Sequence, residues 1–308
     1  MSTPRITSSR GRVRIRMELG FLLGPATLLF AGFVLAPIGI AIYYSLYSWG
    51  GYGPLTDFVG LKNYTDALSG SVFKQAVEHN VLLVALSLLI QLPLAVWIAM
   101  LLNRRMRGRA LIRVVVFAPY LLSEATAAII WALMLSKGSF VDQALKAVGL
   151  SGQIHGWLAD PDIVFYTLFV VITWKYIGFG IILMLAGLQA VPAELREAAA
   201  IDGASPWQIM RSVVLPLLGP TIRIWIFLSV IGSLQLFDLV WIMTLGGPAH
   251  ASTTMVTYMI DHGYKSNEYG YGSAVSVIVF ALCFAFALLY QRFVLRRDLD
   301  GALTNAVR

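Results

Sequence analysis

The sequence is poor in charge. Of its 308 residues only 13% are Asp, Glu, Lys or Arg, against 58% that are hydrophobic, and the mean hydropathy is +0.75. A water-soluble domain carries roughly a quarter charged residues, so lipid is the expected solvent for much of the surface. Cysteine is almost absent. Cys283 stands alone in an apolar run, which excludes an intrachain disulfide framework and a cysteine metal cluster. The four histidines, His79, His155, His250 and His262, are scattered and lack H-E-x-x-H spacing, so no metal ligand set is expected. No GxxxxGK[ST] phosphate loop occurs, and no nucleophile, base or metal set clusters. The chain is therefore expected to be no enzyme and to hold no cofactor of its own. With no internal repeat, low-complexity tract or long linker, residues 1–308 read as a single domain.

Long apolar runs are abundant. A spanning helix needs about 20 mostly apolar residues, and six stretches qualify: about 19–46, 80–102, 111–135, 163–191, 221–245 and 273–294. The expected fold is an all-α polytopic bundle of six transmembrane helices. Pro25, Pro37, Pro93 and Pro119 fall inside these runs, which a membrane bundle tolerates because neighbouring groups re-satisfy the freed carbonyls. The arginine-rich start (Arg5, Arg10, Arg12, Arg14, Arg16) resembles the head of a signal peptide, but the run behind it is too long for a usual apolar core.

Orientation follows lysine and arginine. With the N-terminus inside, the inner segments are the N-terminal arm, the loop near 103–113, the loop near 192–223 and the C-terminal tail. They hold 17 of the 23 basic residues. The outer loops hold Lys62, Lys74, Lys137, Lys146 and Lys265, while Lys175 lies within a span. A cell-membrane protein with both termini cytoplasmic is expected. The same asymmetry accounts for the pI of about 9.6 through contact with anionic lipid, so no nucleic-acid partner is needed. Outer segments 47–78 and 246–272 carry aromatics such as Trp49, Tyr64, Tyr258 and Tyr271. They suit a docking surface for an external partner and an interfacial aromatic belt equally well.

The inner loop 192–220 is too polar to span, yet patterned. Pro192 suits the first turn of a short helix, and Glu194 and Glu197 fall early in it, where the helix dipole favours negative charge. Ala198, Ala199 and Ala200 give a small-residue surface, and Gly203 permits a turn. Ser205, Pro206 and Gln208 spell an N-cap, an N1 proline and a capping box for a second helix. Pro216 and Pro220 mark the approach to the next span. These signals predict a helix–turn–helix knob; an amphipathic connector lying on lipid is the alternative.

This loop resembles the EAA motif of permeases in binding-protein-dependent ABC importers: Glu197-Ala198-Ala199, Gly203, then Leu215-Pro216 at matching spacing, with Val213 in place of isoleucine. Four further segments resemble the carbohydrate branch, of the maltose-permease type that contributes the sugar site. They are 58–64 (FVGLKNY), 102–105 (LNRR) with Arg109, 185–189 (LAGLQ) with Pro192, and 244–248 (TLGGP). The extra N-terminal spans and large external loop of the maltose example have no counterpart here.

The resemblance implies a type I ABC importer permease fold. It implies that 192–220 is a coupling loop seated in an ATPase groove, with Glu197 as charged anchor, Ala198 and Ala199 as contact face, and Asp202, Gly203, Leu215 and Pro216 completing the motif. The implied partners are a second permease subunit, two ATPase subunits that bind the ATP and magnesium, and an extracytoplasmic sugar-binding protein. Counted from the motif, the implied sugar-contacting positions are Lys175, Tyr176, Phe179, Ser229, Gly232, Ser233 and Leu236. An asparagine pair of the maltose type appears here as Ser233 and Leu236, so a less polar pocket is expected. Interhelical packing is the other reading of the serines. A neutral oligosaccharide is the expected cargo.

Glu124 and Asp238 are intramembrane charges, costly unless buried in the bundle or facing water. Lys175 and Asp238 are expected to pair with each other or with the partner permease. Two alternatives stay open. A proton- or cation-coupled secondary transporter would use Glu124, Lys175 and Asp238. An importer of a phosphorylated polyol such as glycerol phosphate would need several cations at its site.

Overall fold

A computed structural model of the chain describes residues 9–104 and 107–295. Arg5, Arg105, Arg296, Arg297 and Arg308, which enter the charge asymmetry, lie outside the described residues. Five helices are long and apolar enough to cross a membrane: Gly20–Tyr44, Ser71–Asn103, Val164–Gln189, Pro206–Thr244 and Tyr269–Leu295. They correspond to the first, second, fourth, fifth and sixth spans expected from the sequence. The second starts nine residues before its expected 80, and the fifth starts at 206 rather than 221.

The third expected span, 111–135, is not one helix. It consists of Arg109–Leu121 and Glu124–Met134, bent by 99°. Two local causes coincide. Pro119 lies in the last turn of the first limb, where it donates no backbone bond and crowds the carbonyl four residues back. Ser123 is extended and caps the second limb, its Oγ accepting from the Thr126 amide at 3.1 Å.

Proline is accommodated by a recurrent device. Pro37, Pro93 and Pro216 each follow a π-helical turn after one intervening residue, the turns being Ala31–Leu35, Ser87–Gln91 and Met210–Val214. The wider turn makes room for the ring, so the helix continues instead of breaking. Pro216 and Pro220 therefore lie inside the fifth span and do not announce it.

The fourth span is the axis of the bundle. Half of its 26 residues are buried, against none of the described residues of the first span. One apolar cluster joins its N-terminal half (Leu168, Phe169, Ile172) to Ala127, Ala128, Leu239 and Val240. A second joins its C-terminal half (Ile181, Met184, Leu188) to Ala95, Ala99, Val214 and Leu218. A third ties Phe73 and Ala76 to Met255, Tyr258, Val275 and Val279. Gly178 sets how closely the elbowed helices approach: a Cβ there would stand 2.5 Å from the Val116 carbonyl oxygen. That contact brings the first limb, and Tyr120 on it, against Phe179.

Candidate functional site

Two interruptions face each other across the bundle, and a cavity of about 440 Å³ lies between them. The first is the elbow at 119–124. Lys175, 2% exposed, reaches it from the fourth span and donates to the carbonyls of Pro119 at 3.1 Å, Tyr120 at 3.0 Å and Leu122 at 2.5 Å. A cation on the orphan carbonyls at a helix C-terminus satisfies both charge and hydrogen bonding. Next in sequence, the Tyr176 hydroxyl donates to Glu124 Oε1, just past the elbow. Tyr120 stacks on Phe179, centroids 5.2 Å apart, and meets Tyr176 edge-on at 6.4 Å. Lys175 thus holds the turn, and the turn presents an aromatic wall.

The second interruption is at 235–237, where the fifth span unwinds before the short helix Asp238–Thr244. Unwound backbone inside a membrane needs partners, and two side chains supply them. Asn80, fully buried on the second span, donates through Nδ2 to the Ser233 carbonyl at 2.6 Å and accepts at Oδ1 from the Met255 amide at 2.9 Å. Thr254 Oγ1 donates to the Leu236 carbonyl at 2.8 Å.

The cavity gathers Tyr176, Phe179, Ser229, Gly232, Ser233 and Leu236, six of the seven positions the resemblance pointed to. Gly232 has open space where a side chain would begin. Glu124 and Asp238 line the same cavity, a placement that the sequence alone did not suggest. Lys175 does not line it, and among the described residues it makes no ion pair with Asp238. Residues that sequence reasoning missed are Tyr120, Ser87, Gln91 and Trp225. Gln91 carried a signal: an amide in an apolar run, 5% exposed, with Nε2 on Thr173 Oγ1 at 2.9 Å. Tyr120 carried none, because its place depends on the elbow.

At the far end of the fourth span, Ala193–Ile201 forms the expected short helix. Pro192 is its N-cap residue and not its first turn. None of its residues is buried, and Ile201 is 86% exposed. The helix ends in a Schellman turn: Ala204 N–H donates to the Ala199 carbonyl at 3.0 Å and Gly203 N–H to Ala200 at 3.1 Å. Asp202 is the C-cap residue, and Gly203 has φ +82° with open space where a Cβ would stand. Its glycine is required by conformation and not by crowding. The Ser205 capping box forms with both bonds, Ser205 N–H to Gln208 Oε1 at 2.7 Å and Gln208 N–H to Ser205 Oγ at 3.4 Å. The motif therefore has two parts. Glu197, Ala198 and Ala200 are on the exposed helix, with Ala199 half-buried. Leu215 packs with Val214 and Leu218 against the second and fourth spans, while Pro216 is exposed.

Residues 91–298 match the family of binding-protein-dependent transport system inner membrane components. The trehalose/maltose transport system permease protein of Thermococcus litoralis is 34% identical over 89% of this chain and 93% of its own length. A probable ABC transporter permease of Pyrococcus horikoshii is 32% identical over 86% and 91%, and the lactose transport system permease protein of Rhizobium radiobacter is 32% identical over 89% and 93%. The fold is shared with a bacterial alginate ABC transporter solved with an alginate pentasaccharide-bound periplasmic protein, at a TM-score of 0.79 and 21% identity over 93% of this chain and 96% of that one. The chain belongs to the binding-protein-dependent inner-membrane permease family, a non-catalytic transport subunit.

Proposed function

We propose that this member of the family is the saccharide-contacting permease subunit of an ATP-driven importer for a neutral oligosaccharide, delivered by an external binding protein. It works beside a second permease subunit and above two ATPase subunits, which hold the ATP and magnesium. Membership itself favours this over a proton- or cation-coupled transporter. Related chains named for trehalose/maltose and lactose transport support a sugar as cargo.

The observation that carries the reading is the cavity wall. Tyr120, Tyr176 and Phe179 contribute aromatic rings to one side, and Ser229, Gly232 and Ser233 small groups and hydroxyls to the other. Rings pack on the C–H faces of a sugar while hydroxyls and amides meet its polar edge. A phosphorylated polyol fits poorly, since no Lys or Arg is among the described lining residues. The helices carrying Tyr176 and Ser229 are those joined by the helix Ala193–Ile201. A push on that helix by the ATPase would move both walls together. The charge asymmetry supports placing that helix, and both termini, in the cytoplasm.

Tyr176→Ala tests the assignment. It removes a ring from the wall and should lower ATP-driven uptake of labelled saccharide into reconstituted vesicles roughly tenfold, equivalent to about 1.4 kcal/mol, with capture by the binding protein unchanged. Uptake at the parent rate would make the ring mere packing.

A further inference from the structure

We propose, on the saccharide reading above, that Glu124 and Asp238 make this cavity select by charge. It accepts neutral sugars, prefers those bearing an amine, and rejects those bearing a carboxylate, sulfonate or phosphate. Both carboxylates line the same cavity of about 440 Å³, and no Lys, Arg or His is among the described residues that line it. Glu124 uses Oε1 to accept from Tyr176, and no described residue donates to its Oε2. Asp238 is exposed, and no described residue donates to its carboxylate. Two unpaired acceptors of like charge therefore face the space a ligand would fill.

The nearest cation does not line the cavity and has no donor to spare. An ammonium has three N–H donors, and Lys175 directs its nitrogen to the carbonyls of Pro119, Tyr120 and Leu122. No donor is left for a ligand, and its single charge, which acts on Glu124, offsets one of the two carboxylates and leaves the set net negative. Lys265 is likewise engaged, by Asp261 at 3.1 Å and by the face of Trp241 at 4.4 Å. Half-buried Glu124 is screened less than in water, and exposed Asp238 adds a second charge of the same sign on the same cavity. A third negative group would be repelled, whereas an ammonium would gain charge-assisted hydrogen bonds to the free carboxylate oxygens.

The test compares radiolabelled glucose, glucosamine and glucuronate, which share a ring and differ in charge. Each is measured by equilibrium dialysis against the purified assembly of this chain with its partner subunits, without the binding protein, at a pH where the amine is charged. Glucosamine should bind at least roughly tenfold more tightly than glucuronate, with glucose between them. In the double variant Glu124→Gln/Asp238→Asn the ratio should fall to within about twofold. Glucuronate binding as well as glucose in the parent, or a ratio that survives the double substitution, overturns the charge rule alone. Binding of none of the three overturns the saccharide reading and the charge rule with it.

Discussion

Lys175 illustrates how far a residue's role depends on what surrounds it. On the linear sequence it is a costly charge within a span, next to Tyr176, and its register with a sugar-binding family places it at the substrate. In the folded chain its nitrogen sits on three carbonyls at the elbow, so its role is to hold Tyr120 and Glu124 in place. Unsatisfied buried polar groups cost about 1–3 kcal/mol each. Lys175→Met should therefore lower the melting temperature of the detergent-solubilised protein by several degrees, and should weaken saccharide binding because the wall moves. Lys175→Arg, which keeps the charge and the donors, should lose less. A Met variant as stable as the parent would show that the elbow does not need the cation. The sequence could not have told these roles apart. The carbonyls that Lys175 meets belong to a turn more than fifty residues earlier, and the hydropathy of 111–135 does not distinguish a straight helix from a bent pair. The turn did leave marks, in Pro119 and in Ser123 preceding Glu124, but both were weaker than the continuous apolar run around them.

At the scale of elements, local chemistry was legible where it is self-contained. The helix after Pro192, the turn at Gly203 and the Ser205–Gln208 capping box all form within a few residues of their signals. The start of the fifth span was not legible. Proline normally ends a helix, but the π-helical turn Met210–Val214 lets the chain pass through Pro216, and Val214 in that turn packs with Leu188 and Leu218. The projecting helix Ala193–Ile201 has no buried residue of its own, so substitutions there should act on coupling and spare the fold. Glu197→Lys should leave the protein inserted and its melting temperature unchanged while uptake is lost. At Gly203 a left-handed conformation costs an ordinary residue about 1–2 kcal/mol. Gly203→Asn should retain most uptake, Gly203→Val should lose it, and Gly203→Trp should uncouple at least as fully. The measurement is uptake and ATPase activity in the same vesicles. Normal uptake with both Glu197→Lys and Gly203→Trp would refute the coupling role.

The whole molecule places the bent helix pair 109–134 and the unwound fifth span on opposite sides of one cavity, with the fourth span as the shared axis. The projecting helix connects the fourth span to the fifth. Its movement would thus reach the rings at Tyr176 and Phe179 and the small face at Ser229 and Ser233 along the two spans, to which short non-helical links at 190–192 and 202–205 join it. The first span has none of its described residues buried; its C-terminal part packs on the last span, and much of its remaining surface is apolar and exposed. The most direct measurement of this coupling is cysteine accessibility in the reconstituted importer, using a chain in which the native Cys283 is replaced by serine. Ser229→Cys should react with a membrane-impermeant maleimide from outside when a non-hydrolysable nucleotide closes the ATPase pair. It should be slow without nucleotide and protected by saccharide, while Ala200→Cys should never react from that side. Labelling of position 229 that ignores both nucleotide and saccharide, or labelling of position 200 from outside, would contradict a substrate cavity driven from the cytoplasmic helix.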